Sequence, residues 1–492
     1  MVAPVDTISI NKPNLPVEKT GQSNLFEQIT QTNRVSELFS EQPKKIEKKL
    51  DELQGWDKVK RAAKIWAKIF DSRASTYRAV MDLIGADIPT VIAGMRNIYS
   101  FIEQSIEAAE SFIMVFAAPK ITSWVSKIIG KSVLSAKDHQ DTQHHLLFHR
   151  SELHDNEQFK QAIYRIRAEE VDDKKHIAEL YRELGKHEKA KELDDESQAI
   201  RNYCDNFISN YNEQQATKQR EQLLKLKESV QLAESFVEGG LWGSFGITMR
   251  LFRKYVLKQD SFTGTKGYAN KEEQAKLGDN NKIGIKEIFG ALVGTTISPI
   301  INKLVLNATR DRDKVKHSKW LSWLDYQFDM THGLYPRLGM MFSFMVIPKW
   351  SSVFLTAQGR NELIEKLSKA LSMIPLWWLG QKITNGPLAA MRDKQMQKEY
   401  GTEPGLLVNR PNPRQAGLTG WLKHLFPEAQ KYYDIFKQLQ NVDDPKLKEA
   451  AFDKHAKTLY QGLGLHTGII FTAIMLSQFL TKLRVKKQLK AV

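Results

Sequence analysis

The sequence predicts an all-α protein, a multi-helical membrane-associated chain with a charged helical hairpin region and a C-terminal candidate transmembrane helix. Three observations carry that expectation. Apolar residues recur every three or four positions between residues 43 and 70, and residues 139–236 are dense in Glu, Lys, Gln, Asp and Arg, with no proline and a single glycine, Gly185. Residues 458–481 form a run of 24 without one Asp, Glu, Lys or Arg. The first pattern has the period of a helix and the second lacks its breakers. The third has the length of a bilayer-spanning helix, about 20 mostly apolar residues.

In chain order, residues 1–42 carry Pro4, Pro13 and Pro16 among Ser, Thr and Asn, hold no apolar run fit for a secretory signal, and read as a disordered tail. Residues 43–138 are expected to form amphipathic and apolar helices. In the first, Ile46, Leu50, Leu53, Trp56, Val59, Ala63, Trp66 and Phe70 share one face, while Lys44, Lys45, Lys48, Lys49, Lys60, Arg61, Lys64 and Lys68 line the other. That basic face suits an anionic bilayer surface, or water beside a helix packed on the rest of the protein.

The block 139–236 reads as the charged hairpin region. Within it, Ala178, Tyr181, Gly185 and Ala190 fall at small, aromatic, turn and small positions, so residues 176–193 resemble one tetratricopeptide unit. The resemblance implies a helix-turn-helix. Asp194 stands at the second-helix aromatic position and no second unit follows, so no array is expected. Leu223, Leu226, Val230, Ala233 and Val237 form a seam able to pair with another helix, over a length too short for a coiled coil.

Residues 237–400 are expected to be apolar, proline-bent helices with polar connectors. Four apolar runs along the chain share one form, a proline within the run and then a return of basic residues: SFIMVFAAPK, GTTISPIINK, FSFMVIPKW and SMIPLWWLGQK. Lys303 interrupts the run at 288–309, and Lys349 stands near the middle of 338–359, where a charge at bilayer depth is expensive. Connectors are read at 259–284 and 401–420. Residues 401–457 are a loop with amphipathic helices, in which Asp443, Asp444 and Pro445 mark a helix start. Residues 458–492 hold the candidate span and a basic tail.

Two sets of small residues spaced by four, Gly290, Gly294 and Ser298, and Gly464, Gly468 and Thr472, are candidate helix-packing faces, within the chain or between copies. Lys446, Lys448, Lys454 and Lys457 before the last run balance Lys482, Arg484, Lys486, Lys487 and Lys490 after it, so orientation stays open. The polar regions are assigned to the cytoplasm.

Lys plus Arg number 72 against 57 Asp plus Glu, a formal charge of +15, which favours anionic lipid, nucleic acid or acidic partners. The basic residues are interleaved with acids and form no nucleic-acid module, so no specific nucleic acid is expected. The lone Cys204 excludes an intramolecular disulfide. Five histidines cluster at His139, His144, His145, His149 and His154, and His145 with His149 has the spacing of two metal ligands on one helical face. Asp141 with His144 and Asp173 with His176 repeat a carboxylate-x-x-His spacing found in di-iron bundles. GLGLHTG at 462–468 and WGSFG at 242–246 miss the dinucleotide and nucleophile-elbow patterns. The expectation is therefore no enzyme and no cofactor, but a membrane-associated scaffold that meets anionic lipid and binds other proteins through 139–236. A soluble helical bundle binding protein or lipid, and a metal-dependent helical enzyme, are the alternatives.

Overall fold

The structure, a computed structural model, describes residues 50, 53–72, 83–133, 144–259, 272–273, 285–330, 337–409 and 427–491. The expected tail at 1–42, Lys44, Lys45, Lys48, Lys49, His139, Asp141 and most of the two connectors lie outside the described residues. The chain divides into two compact units, Met1–Lys58 and Val59–Val492.

The protein is all-α. Its helices are α1 (Gly55–Ser72), α2 (Ile88–Gly94), α3 (Ile98–Val133), α4 (Asn156–Glu183), α5 (His187–Ser209), α6 (Glu213–Leu251) and α7 (Ile285–Ala308). They continue with α8 (Arg312–His317), α9 (Lys319–Gln327), α10 (Leu338–Met341), α11 (Ile347–Leu355), α12 (Arg360–Tyr400), α13 (Tyr432–Leu439) and α14 (Pro445–Ala491). A two-residue antiparallel pairing joins β1 (Val408–Asn409) to β2 (Glu428–Ala429).

Local chemistry sets the ends of the charged helices. The Asp155 carboxylate accepts from the Gln158 backbone N–H to start α4, and Asn212 caps α6 through the N–H groups of Gln214 and Gln215. Gly185, at φ +71°, reverses the chain between α4 and α5, a conformation that favours glycine. This is the helix-turn-helix implied by the short resemblance at 176–193.

Helix α6 runs unbroken through residue 236, carrying the hairpin region into the apolar part of the protein. The apolar run at 458–481 is likewise the middle of a longer helix, α14, whose first N–H groups, those of Lys446 and Leu447, donate to Asp444. Pro119, Pro299 and Pro375 lie inside α3, α7 and α12, so these prolines do not end their helices. Pro348 enters α11 at its first turn, directly after a π-helical turn at Phe342–Val346.

Helices α3, α6, α7 and α11 pack together, and α12 pairs with α14. Among the described residues the largest apolar cluster joins Val230, Trp242 and Phe245 of α6 to Phe344, Trp350 and Ala370. A second gathers Phe148, Phe159, Ile163 and Cys204 inside the hairpin region.

Candidate functional site

The α6 and α7 helices are antiparallel and meet through a seam of small residues. A Cβ added to Gly239 would collide with Ser298, one on Gly243 with the Gly294 backbone, and one on Gly290 would sit 2.7 Å from Leu355 Cβ. The sequence-predicted face Gly290, Gly294 and Ser298 is therefore brought against glycines of α6 and against α11. Gln231 donates to Asn302 across the same seam at 3.0 Å.

The other predicted face is placed differently. Nothing lies within 4 Å of a Cβ added to Gly464 or Gly468, and Thr472 is exposed, its hydroxyl donating to the Gly468 carbonyl of its own helix. Helix α14 instead buries His466, Ile470, Ile474, Ser477 and Thr481, and it packs against α12 and against residues 83–94. His466 fits against Gly380 and Gly85, Asn385 against Gly462, and Arg392 donates to Thr458 and Gln461.

Two charged layers bound the apolar parts of these helices. In the first, the fully buried Lys227 of α6 meets Asp329 at 3.0 Å, and Arg337 and His149 flank the same carboxylate at 3.2 and 3.3 Å. Burial alone would raise the Asp329 carboxyl, but Lys227, His149 and Arg337 hold it below the ordinary range. Arg150 bridges Glu228 and Asp325, which Arg312 also contacts. In the second layer, Arg253 joins Glu103 of α3 to Glu362 of α12, while Arg250 pairs with Glu287 and Arg96 with Glu365. Asn361 donates to Gln488 at 3.0 Å, which places the end of α14 beside this second layer.

Between the layers the outward faces of α7 and α14 are mainly apolar. Helix α7 exposes Ile285, Ile288, Phe289, Leu292, Ile300 and Leu304, with Leu292 at 58 %. Helix α14 exposes Leu465, Phe471, Met475, Leu476, Phe479 and Leu480, with Leu476 at 56 %. Both helices are long and apolar enough to cross a membrane, and only 33 % and 22 % of their apolar stretches are buried. A core helix of a water-soluble protein has the opposite pattern, its apolar stretch mostly covered. Lys349, the charge inside the third apolar run, is buried at 4 %, over the rings of Trp242 and Phe245 and 3.9 Å from Glu107.

The predicted basic face of α1 divides. Lys60 is exposed, Arg61 pairs with Glu183, Lys64 pairs with Asp453 at 2.6 Å, and Lys68 lies over the rings of Tyr432 and Phe452. Burial, with Glu183 opposing it, brings the Lys68 ammonium down to about 8. Arg61, Lys64 and Lys68 thus face acidic or aromatic groups of α4, α13 and α14.

His145 and His149 do not share a helical face. His145 is buried in a 3-10 turn at His144–Leu147, whereas His149 is half exposed in the extended residue that precedes the next turn, Arg150–Leu153. Among the described residues no three His, Cys, Asp or Glu side chains are grouped to hold a metal ion. His176 faces the rings of Tyr432 and Phe436.

The sequence marks Lys349 as a charge inside an apolar run, but not its partners or the two charged layers. Their signal is present, as isolated charges within apolar runs at Glu103, Glu107, Arg250, Arg253 and Lys349. Comparison with protein-family models, with curated proteins and with solved structures found no match to this chain.

Proposed function

We propose that the protein is a membrane-embedded helical scaffold, with α7 and α14 crossing the bilayer and the charged α4–α5 hairpin held at one surface to bind other proteins. The observation that carries this reading is the uncovered apolar face of α14, bounded at both ends by bases. At about 1.5 Å per residue, the exposed apolar positions reach about 28 Å along α7, from Ile285 to Leu304, and about 27 Å along α14, from Leu465 to Leu483. The hydrocarbon core of a bilayer is about 30 Å thick. Leaving these side chains in water forgoes burial worth about 1.5–3 kcal/mol for each large one.

The charged layers support the same reading. Glu228 and Arg250 on α6 stand about 33 Å apart along the helix, and Lys457 and Lys482 on α14 about 38 Å. Charges that end up between the layers, such as Lys349, are turned inward, as ionisable groups at bilayer depth are. Lys303, exposed near the end of α7, has a stem long enough to reach the headgroups.

Flotation of membranes on a density gradient after alkaline carbonate treatment tests this. The full chain is expected to float with the lipid, and a chain ending at Lys457 to float as well, held by α7. Release of the full chain into the soluble fraction would remove the reading. Aggregates sink, so misfolding of the shortened chain is distinguishable from loss of an anchor.

A further inference from the structure

Helix α9 is inverted relative to a water-soluble surface helix. Its carboxylate, Asp325, is buried at 3 % and pairs with Arg150 and Arg312, while Trp320 is 64 % exposed and Trp323 46 % exposed. The two indoles stack on each other at 4.9 Å with the rings 22° from parallel, so their outer faces remain uncovered. Tyr326, on the same face, carries the Arg337 guanidinium over its ring. The buried ion pairs fix which side of α9 turns inward, and therefore force the indoles outward.

The position of this face in the chain is equally specific. Only Thr309, Arg310 and Asp311 separate the end of α7 from α8, which leads directly into α9. Around the indoles, Arg310, Lys314, Lys316 and Lys319 are exposed, against exposed Asp311 and Asp313, leaving a positive surplus. Lys314 is 3.2 Å from Asp311, and Lys316 is 3.8 Å from Asp155. Tryptophan with flanking bases is what the boundary between lipid chains and headgroups selects, because an indole has an apolar body and a polar N–H.

We propose that α9 lies flat in the headgroup layer of an anionic bilayer, with the Trp320–Trp323 pair inserted at the chain boundary and the α8 bases among the phosphates. The proposal rests on the reading of α7 as a span and adds a second, interfacial contact at its end. The surface would fix how deep α7 sits and would keep the hairpin region, joined to α9 through Arg150 and to α8 through Lys316, against the membrane.

Two single-site fluorophore labels separate this proposal from the one it rests on. Burial, helped by Asp205, pushes the Cys204 thiol up to about 12, so maleimide dyes are expected to leave it unlabelled in the folded protein. Leu292→Cys and Trp320→Cys are then labelled in separate full-length proteins, each in vesicles of phosphatidylcholine with a minority of phosphatidylglycerol. Lipids brominated near the chain end, or near the headgroup, serve as quenchers. The expected result is stronger quenching by the deep bromine at residue 292 and by the shallow bromine at residue 320, with bluer emission from 320 when phosphatidylglycerol is present. If 292 is quenched and 320 is not, α9 faces water or a protein partner and the proposal is overturned. Deeper quenching at 320 than at 292 overturns it as well. No quenching at either site overturns the spanning reading and this proposal with it, and emission from 320 that ignores phosphatidylglycerol overturns the anionic preference.

Discussion

His176 shows how one residue ties the hairpin region to the rest of the protein. Its ring lies 5.3 Å from that of Tyr432 and 4.7 Å from that of Phe436, and among the described residues neither ring nitrogen finds a hydrogen-bond partner. Burial, reinforced by Lys68, lowers its pKa from 6.5 to about 4. The folded state therefore favours the neutral ring. Its contribution is fully present above about 6.5 and is lost as pH falls through about 4. Thermal unfolding measured across that window should show His176→Phe losing less stability on acidification than the parent, because phenylalanine keeps the ring contacts and cannot charge. Equal acid sensitivity would show that other groups carry it, His154 first, which burial and Arg312 also lower to about 4. Arg253 sits at the opposite extreme, fully buried between Glu103 and Glu362. Arg253→Gln removes the cation shared by Glu103 and Glu362, leaving Glu362 with Lys366, and should cost about 3–5 kcal/mol, read as a lowered denaturation midpoint in detergent. An unchanged midpoint would mean the pair is hydrated. Neither contact was legible beforehand. The sequence offers His176 only as part of a carboxylate-x-x-His spacing and Arg253 as an ordinary charge, and which aromatic ring or carboxylate each one meets is decided by segments more than 100 positions away.

At the scale of elements, the same small-residue spacing has two fates. On α7 it is consumed by α6 and α11, since Gly243 and Gly294 bring their backbones into direct contact. On α14 it stays open. Gly294→Leu should therefore cost about 3 kcal/mol or disrupt the α6–α7 pairing, whereas Gly468→Ala should raise helix stability by about 0.5–1 kcal/mol in the isolated protein. Denaturation in detergent compares the two, and a Gly294→Leu protein as stable as its parent would contradict the seam. Should copies of the chain pair through Gly464, Gly468 and Thr472, Gly468→Leu would lower the dimer fraction seen by crosslinking in vesicles. Helical class was legible because a period of three to four with few breakers is a local property. The turn at Gly185 and the start at Pro445 were legible for the same reason, each resting on one or two residues. The continuity of α6 through 236 and of α14 from 445 to 491 was harder to read, because a change in polarity resembles a boundary although the backbone has no reason to stop there. The prolines Pro119, Pro299 and Pro375 stand within helices rather than at their ends. Each removes one N–H, a loss that long helices such as α3, α7 and α12 absorb.

Among the described residues of Val59–Val492, the apolar stretches of α6 and α7 lie between two charged layers, the first of which adjoins the hairpin region. Composition foretold the contrast between charged and apolar regions. It did not foretell that the antiparallel helices α3, α6 and α7, and α12 with α14, would align their charges, since alignment depends on the register set by Arg253, Gly243 and Asn385. Nor did it separate α7, whose small-residue face is used internally, from α14, whose equivalent face is not.

Membrane embedding requires that the outward faces of α7 and α14 touch lipid chains. A carbene precursor dissolved in the bilayer interior, activated by light and mapped by mass spectrometry of the full protein in vesicles, reads that contact residue by residue. Adducts are expected on exposed positions such as Leu292, Leu304, Met475 and Leu476, and none on the hairpin at 156–209. Adducts on the hairpin with none on α7 and α14 would contradict membrane embedding.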